Sequence, residues 1–87
     1  MNYLHWKIPG SKGDTIRVNK DVPAFVRLID PLNFEYYKVG RKFASLGGWE
    51  DGQNIEFDVP YKGTFHLTID LNGQPGTVKA TIDIARL

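Results

Sequence analysis

The stretch "GTFHLTIDLNGQPGTVKATIDI", residues 63–84, alternates apolar and polar side chains on either side of a turn-rich centre. Successive side chains on a strand point to opposite faces, so a period of two marks a half-buried strand. Phe65, Leu67, Ile69 and Leu71 fall on one face, against His66, Thr68 and Asp70 on the other. After "NGQPG", Val78, Ala80, Ile82 and Ile84 oppose Thr77, Lys79, Thr81 and Asp83. The pattern predicts a central hairpin with an apolar inner face and a wet outer one. Just upstream, "NIEFDV" sets Ile55, Phe57 and Val59 against Glu56 and Asp58, and "PYKG" supplies a turn, so three consecutive strands are expected to form a meander.

The N-terminal half carries the same signal. Leu4, Trp6 and Ile8 share one face of "YLHWKI"; Ile16 and Val18 share one face of "DTIRVN". "AFVRLI", residues 24–29, is apolar on both faces except at Arg27, which suits a strand covered on both sides. "DPLNFEYYKVG" breaks the pattern: Asp30 can cap a helix, Pro31 suits its first turn, and Gly40 suits its end. A short helix near residues 31–38, linking two sheets, is expected, and the glycines at 47, 48 and 52 suggest a loop after it. Six to seven short strands separated by turn signals indicate an all-β chain, an antiparallel β-sandwich with one short helix.

Totals bound the rest. A chain of 87 residues supports one core, so a single domain over residues 1–87 is expected. With 11 Lys+Arg against 10 Asp+Glu, the formal charge of +1 provides no global field to gather nucleic acid or an anionic membrane surface. The chain has no cysteine, which removes disulfides and thiolate chemistry, and no apolar run approaches a membrane span. A soluble, unprocessed, cytoplasmic protein is the expectation, with no cofactor.

Residues that could carry chemistry are few. His66 and Asp70 share a strand face but stand about 13 Å apart along it, too far for a catalytic dyad. Asp70 can instead accept hydrogen bonds from the amides of the following loop. The two histidines, His5 and His66, could approach if the first strand lies beside residues 65–71, with Asp70 or Glu56 as a third metal ligand. Ser11 and Ser45 sit in turn-like segments without a nucleophile elbow, and "GSKGD" lacks the spacing of a phosphate loop. No enzymatic activity is expected; a metal-dependent or hydrolase-like role for His66 is the residual alternative.

The most distinctive composition lies between Phe34 and Trp49, where Phe34, Tyr36, Tyr37, Phe43 and Trp49 interleave with Lys38, Arg41 and Lys42. Large aromatics commonly close the open end of a small sandwich; beside cationic donors they can also stack on a ligand. On the second reading Tyr36, Tyr37, Arg41, Phe43 and Trp49, with His66 and Asp70, are the candidate ligand-binding residues. They would act at a sandwich end shared with "NGQPG", toward a small ligand or a protein partner. Self-association through an edge strand, as a structural accessory domain, is the alternative.

From Val26 onward the chain resembles a family of small bacterial proteins known as domain of unknown function 1883. The resemblance rests on Arg27, Leu28, Asp30, Asn33, Phe34, Tyr37, Gly40, Arg41, Gly47 and Gly48, then on Pro60, Gly63, His66, Ile69, Asp70, Gly73, Gly76 and Val78. It departs at Ser45 and Leu46, where the family pattern is aromatic, and at Phe65, where it has tryptophan. The resemblance implies an all-β sandwich, sometimes appended to Toll/interleukin-receptor-type domains, hence a sensing or interaction module without catalytic activity. It also favours burial of Phe34 and Tyr37, with Tyr36 more exposed.

Overall fold

The computed structural model describes residues 2–87, and the alternating segments form strands as expected. These are β1 (Tyr3–Gly10), β2 (Thr15–Lys20), β3 (Ala24–Ile29), β4 (Leu46–Glu50), β5 (Asn54–Asp58), β6 (Gly63–Asp70) and β7 (Ala80–Ala85), with helix α1 (Pro31–Lys38) between β3 and β4. They build two antiparallel sheets, a four-stranded one in the order β1-β6-β3-β4 and a three-stranded one in the order β5-β2-β7. Ile8, Val26, Leu28, Phe65, Leu67 and Ile69 from the first sheet meet Ile16, Val18, Ile55 and Phe57 from the second in one core. The inward sets of β2, β5, β6 and β7 are those their period of two picked out, as are Trp6 and Ile8 of β1, whereas Leu4 is 36% exposed and β3, apolar on both faces, had offered no inward side.

The expected meander does not form. β5 pairs with β2, β6 with β1 and β3, and β7 with β2, so the three strands change sheet at every step. β6 and β7 lie in different sheets rather than pairing as a hairpin. The link between Asp70 and Ala80 therefore has to pass from one sheet to the other, and its positive-φ residues Asn72, Gly73 and Gly76 turn the chain. Alternation reports which side chains point inward and carries nothing about which strand lies alongside.

Helix α1 starts where its grammar placed it: the Asp30 carboxylate accepts from the Asn33 amide at 2.9 Å, and Pro31 opens the first turn. It joins β3 to β4, two strands of the same sheet, and so lies on that sheet's outer face instead of linking the sheets. Phe34 and Tyr37 are buried beneath it and Tyr36 is half-buried, as the resemblance implied. The expected glycine loop is partly strand β4, paired with β3 from Leu28↔Leu46 to Ala24↔Glu50. Gly47 has φ +85°, and a Cβ there would collide with the Val26 carbonyl oxygen and the Phe57 ring, so only glycine fits this close approach.

Lys20 is a polar fixture at the end of β2, only 1% exposed. Its ammonium donates to the carbonyls of Val22, Glu50 and Gly52 at 3.0, 2.8 and 2.6 Å, matching all three N–H donors and tying β2 of one sheet to the end of β4 in the other. Lys20→Met would keep the volume but orphan three carbonyls. We expect it to lower stability by about 2–4 kcal/mol, read as a lower urea midpoint with an unchanged m-value.

Candidate functional site

The functional candidates sit on the outer face of the four-stranded sheet, where α1 forms a third layer. Register sets the rows. Lys7, His66 and Ile29 lie side by side across β1, β6 and β3; His5, Thr68 and Arg27 form the next row; Tyr3, Asp70 and Phe25 form the third. The outward face of β6 is thus polar, as read, but it is not wet. His66 is 9% exposed, Thr68 is fully buried and Asp70 is 2% exposed, because Phe34 and Tyr37 of α1 close over them.

Two polar groupings result. In the first, Asp70 Oδ2 accepts from Arg27 Nη1 at 3.0 Å and from the Tyr37 hydroxyl at 2.7 Å, while Oδ1 accepts from the Asn72 amide at 2.8 Å. The last bond is the loop-fixing role expected of Asp70. Burial, then donation to the Asp70 carboxylate, pushes the Tyr37 hydroxyl well above its ordinary pKa, so it stays a donor. In the second, His5 Nε2 and His66 Nδ1 stand 2.7 Å apart, one imidazole donating to the other according to tautomer. Phe34 stacks on both rings, at centroid distances of 4.5 Å to His5 and 4.1 Å to His66. Burial holds both histidines below their ordinary value, with Lys38 and Lys7 adding to it at His5. At His66, His5, Lys7 and Lys38 add to it and Glu35 opposes.

The remaining candidates form two groups, one around Arg27 and one made by Tyr36 and Arg41. Arg27 places its guanidinium 4.4 Å from the Phe25 ring centroid and 5.3 Å from that of Phe43. Trp49 meets Phe25 edge-on at 5.2 Å and is 51% exposed, its indole N–H donating to Asp51. Phe43 is half-buried against Tyr37, and the exposed Arg41 stacks over the half-buried Tyr36 ring at 4.9 Å. The seven predicted site residues therefore divide. Tyr37, His66 and Asp70 are buried parts of the helix-to-sheet layer, while Tyr36, Arg41, Phe43 and Trp49 reach the surface.

The "NGQPG" loop lies elsewhere. Its residues 73–76 line an open cleft of about 650 Å³ with Asn2, Tyr3 and Leu4 at the β1 edge and with Asp70, whereas Trp49 lies on β4, the opposite edge of the sheet. The third metal ligands considered from sequence are also apart: Asp70 is committed to Arg27 and Tyr37, and Glu56 pairs with Arg17 on the other sheet. No group of three or more histidine, cysteine or carboxylate side chains converges among the described residues.

Arg27 and Phe25 were missed as site residues. The signal was present in "AFVRLI", where one cation interrupts an apolar run. A charge on a strand covered on both faces has to find a partner, and here Asp70 is that partner.

Fold and site together define a two-sheet all-β module with a helix-capped polar face. The chain matches the family model described as "Domain of unknown function (DUF1883)" over residues 1–87, and it belongs to that family. No curated protein and no solved structure matches it. Among the described residues no helix is long and apolar enough to cross a membrane.

Two outcomes test this layer. Asp70→Asn should cost about 3–4 kcal/mol because it leaves the Arg27 charge, whose side chain is 18% exposed, without its counter-ion, whereas Tyr37→Phe should cost about 1–2 kcal/mol. Urea unfolding of both variants and of the double mutant would measure their coupling. Because both folded histidines titrate below 6.5, the unfolded chain takes up protons first. Stability should be full above about pH 6.5 and fall as the pH drops below it. Unfolding midpoints taken every half unit would show that decline, and it should flatten in His5→Gln.

Proposed function

We propose that this protein is a non-enzymatic recognition module that binds a small ligand through the platform of Phe25, Arg27, Tyr36, Arg41, Phe43 and Trp49. The observation that carries this reading is the Arg27 guanidinium set between Phe25 and Phe43, beside a Trp49 that is 51% exposed. An indole left half in water on a small domain is an apolar surface available to a ligand. The Arg27 guanidinium edge, fixed by Asp70, and the exposed Arg41 guanidinium offer donors to carboxylate or hydroxyl oxygens. The chemistry suits a ring-bearing ligand with acidic or hydroxyl substituents, such as an acidic saccharide. His66 supports a binding rather than a catalytic reading, since its hydrogen-bond partner is another imidazole and not a hydroxyl or carboxylate. The cysteine-free composition fits a cytoplasmic location.

A thermal-shift screen over neutral and acidic saccharides and nucleotides tests the proposal, because a ligand raises the midpoint according to its concentration relative to Kd. Stabilisation by one class, with a change in tryptophan emission that disappears in Trp49→Phe, is the expected result. Trp49→Ala should weaken that binding about tenfold or more while changing stability by less than about 1 kcal/mol. A chain that responds to no ligand and whose mass in solution rises with concentration would replace this reading with self-association.

A further inference from the structure

At the β1 edge of the same face, on the far side of α1 from Trp49, three elements bring four nitrogen-bearing side chains together. β1 contributes His5 and Lys7, β6 contributes His66 and α1 contributes Lys38. Lys7 stands directly opposite His66 in the strand register, and His5 shares its hydrogen bond with His66 at 2.7 Å. That bond is the only one either imidazole makes among the described residues, so each ring keeps one nitrogen, Nδ1 of His5 and Nε2 of His66, without a protein partner. Lys7 forms no ion pair among the described residues, and Lys38 pairs with Glu35 at 2.9 Å while standing 5.2 Å from the Phe34 ring.

The charges decide what such a cluster prefers. Two lysines act on both imidazoles, and Glu35 of α1 is the acidic side chain that acts on His66. Asp70, the other acid on this face of β6, is already saturated by Arg27, Tyr37 and the Asn72 amide. The β3 neighbour in the row is Ile29, which brings no charge. A divalent cation would therefore meet two ammonium groups, whereas an oxyanion would meet ammonium donors and ring nitrogens that become donors on protonation.

We propose that His5, Lys7, His66 and Lys38 form a binding site for a tetrahedral oxyanion of the phosphate or sulfate class. In the empty site burial and the neighbouring lysines disfavour protonation of the imidazoles, which share a single hydrogen bond. Anion binding draws one proton onto the pair, so that the two nitrogens outside the shared bond both donate, and Phe34 stacks on both rings, at interplanar angles of 19° and 7°, and holds their orientation. The site is independent of the Trp49 platform, and either can fail without the other.

Sulfate is the first probe, because its charge does not change between about pH 6 and pH 8, the range in which histidine titrates. Calorimetric titration against sodium chloride of equal ionic strength should show saturable binding, about tenfold tighter at the lower pH, with proton uptake seen as buffer-dependent heat. Lys7→Ala, an exposed substitution, should weaken binding about fivefold, and His5→Gln should remove the pH dependence. At the lower pH, tighter binding of phenyl phosphate than of inorganic phosphate would assign the site to a phosphate ester, and the reverse order to the free anion; both support it. Sulfate heats no different from chloride, or affinity and proton uptake unchanged in Lys7→Ala, would overturn the proposal. So would saturable binding of zinc in place of the oxyanions.

Discussion

Strand β6 is buried on both faces, and its outward face carries His66, Thr68 and Asp70. A polar face can be covered only if its atoms are paired, since an orphaned buried group costs about 1–3 kcal/mol and an orphaned charge more. Asp70 meets that condition by taking Arg27 from β3, Tyr37 from α1 and the Asn72 amide from its own loop. One carboxylate therefore fixes the position of the helix on the sheet, the direction of Arg27 and the start of the crossing to β7. The position of Arg27 between Phe25 and Phe43, and with it the surface platform, follows from that anchor. Thr68 Oγ1 is the one buried side-chain polar atom among the described residues without a hydrogen bond, and it lies between the two paired groups, in the row of His5 and Arg27.

The two layers of the protein are held by different physics. Between the sheets the contacts are apolar side chains whose burial is favourable without direction, so several strand orders could satisfy them. Between α1 and the outer face a small apolar cluster around Ile29 is joined by hydrogen bonds and stacked rings, which fix orientation: Tyr37 to Asp70, Phe34 on His5 and His66, and Phe43 edge-on to Tyr37. Lys20 performs an equivalent task between the sheets, where the carbonyls of Val22, Glu50 and Gly52 converge on one ammonium. Buried polar groups of this kind narrow the alternatives that an apolar core would tolerate.

Period-two alternation identified five of the strands, because burying one face of a strand imposes that pattern on the residues themselves, and the unbroken apolar run of 24–29 identified β3. β4 escaped it: Gly47 and Gly48 supply no side chains to alternate, and Leu46 and Trp49 lie exposed on an edge strand. The pairing of β6 with β1 and β3, in place of a hairpin with β7, leaves no mark in local sequence, because core residues on paired and on facing strands look the same. For the site, the aromatic and basic composition of residues 34–49 pointed to the right segment. It did not separate Tyr37, which is buried, from Trp49, which is half in water. Arg27 stood out as an interruption of an apolar run and as a match to the family, not as a binding residue, and His5 only as a possible metal-ligand partner of His66.

The sequence by itself determined the all-β class, the inward side of nearly every strand and the limits of α1, because these depend on neighbours a few residues away. Capping by Asp30, the ring of Pro31 and the alternation of side chains all act at that range. Only the tertiary structure decided that α1 roofs a sheet, that the polar face of β6 is buried, and that His5 meets His66 and Arg27 meets Asp70. Those pairs lie 61 and 43 residues apart in the chain, and they are set by which strands come side by side. Strand order is chosen by the packing of the whole core, to which every segment contributes and which no single segment encodes.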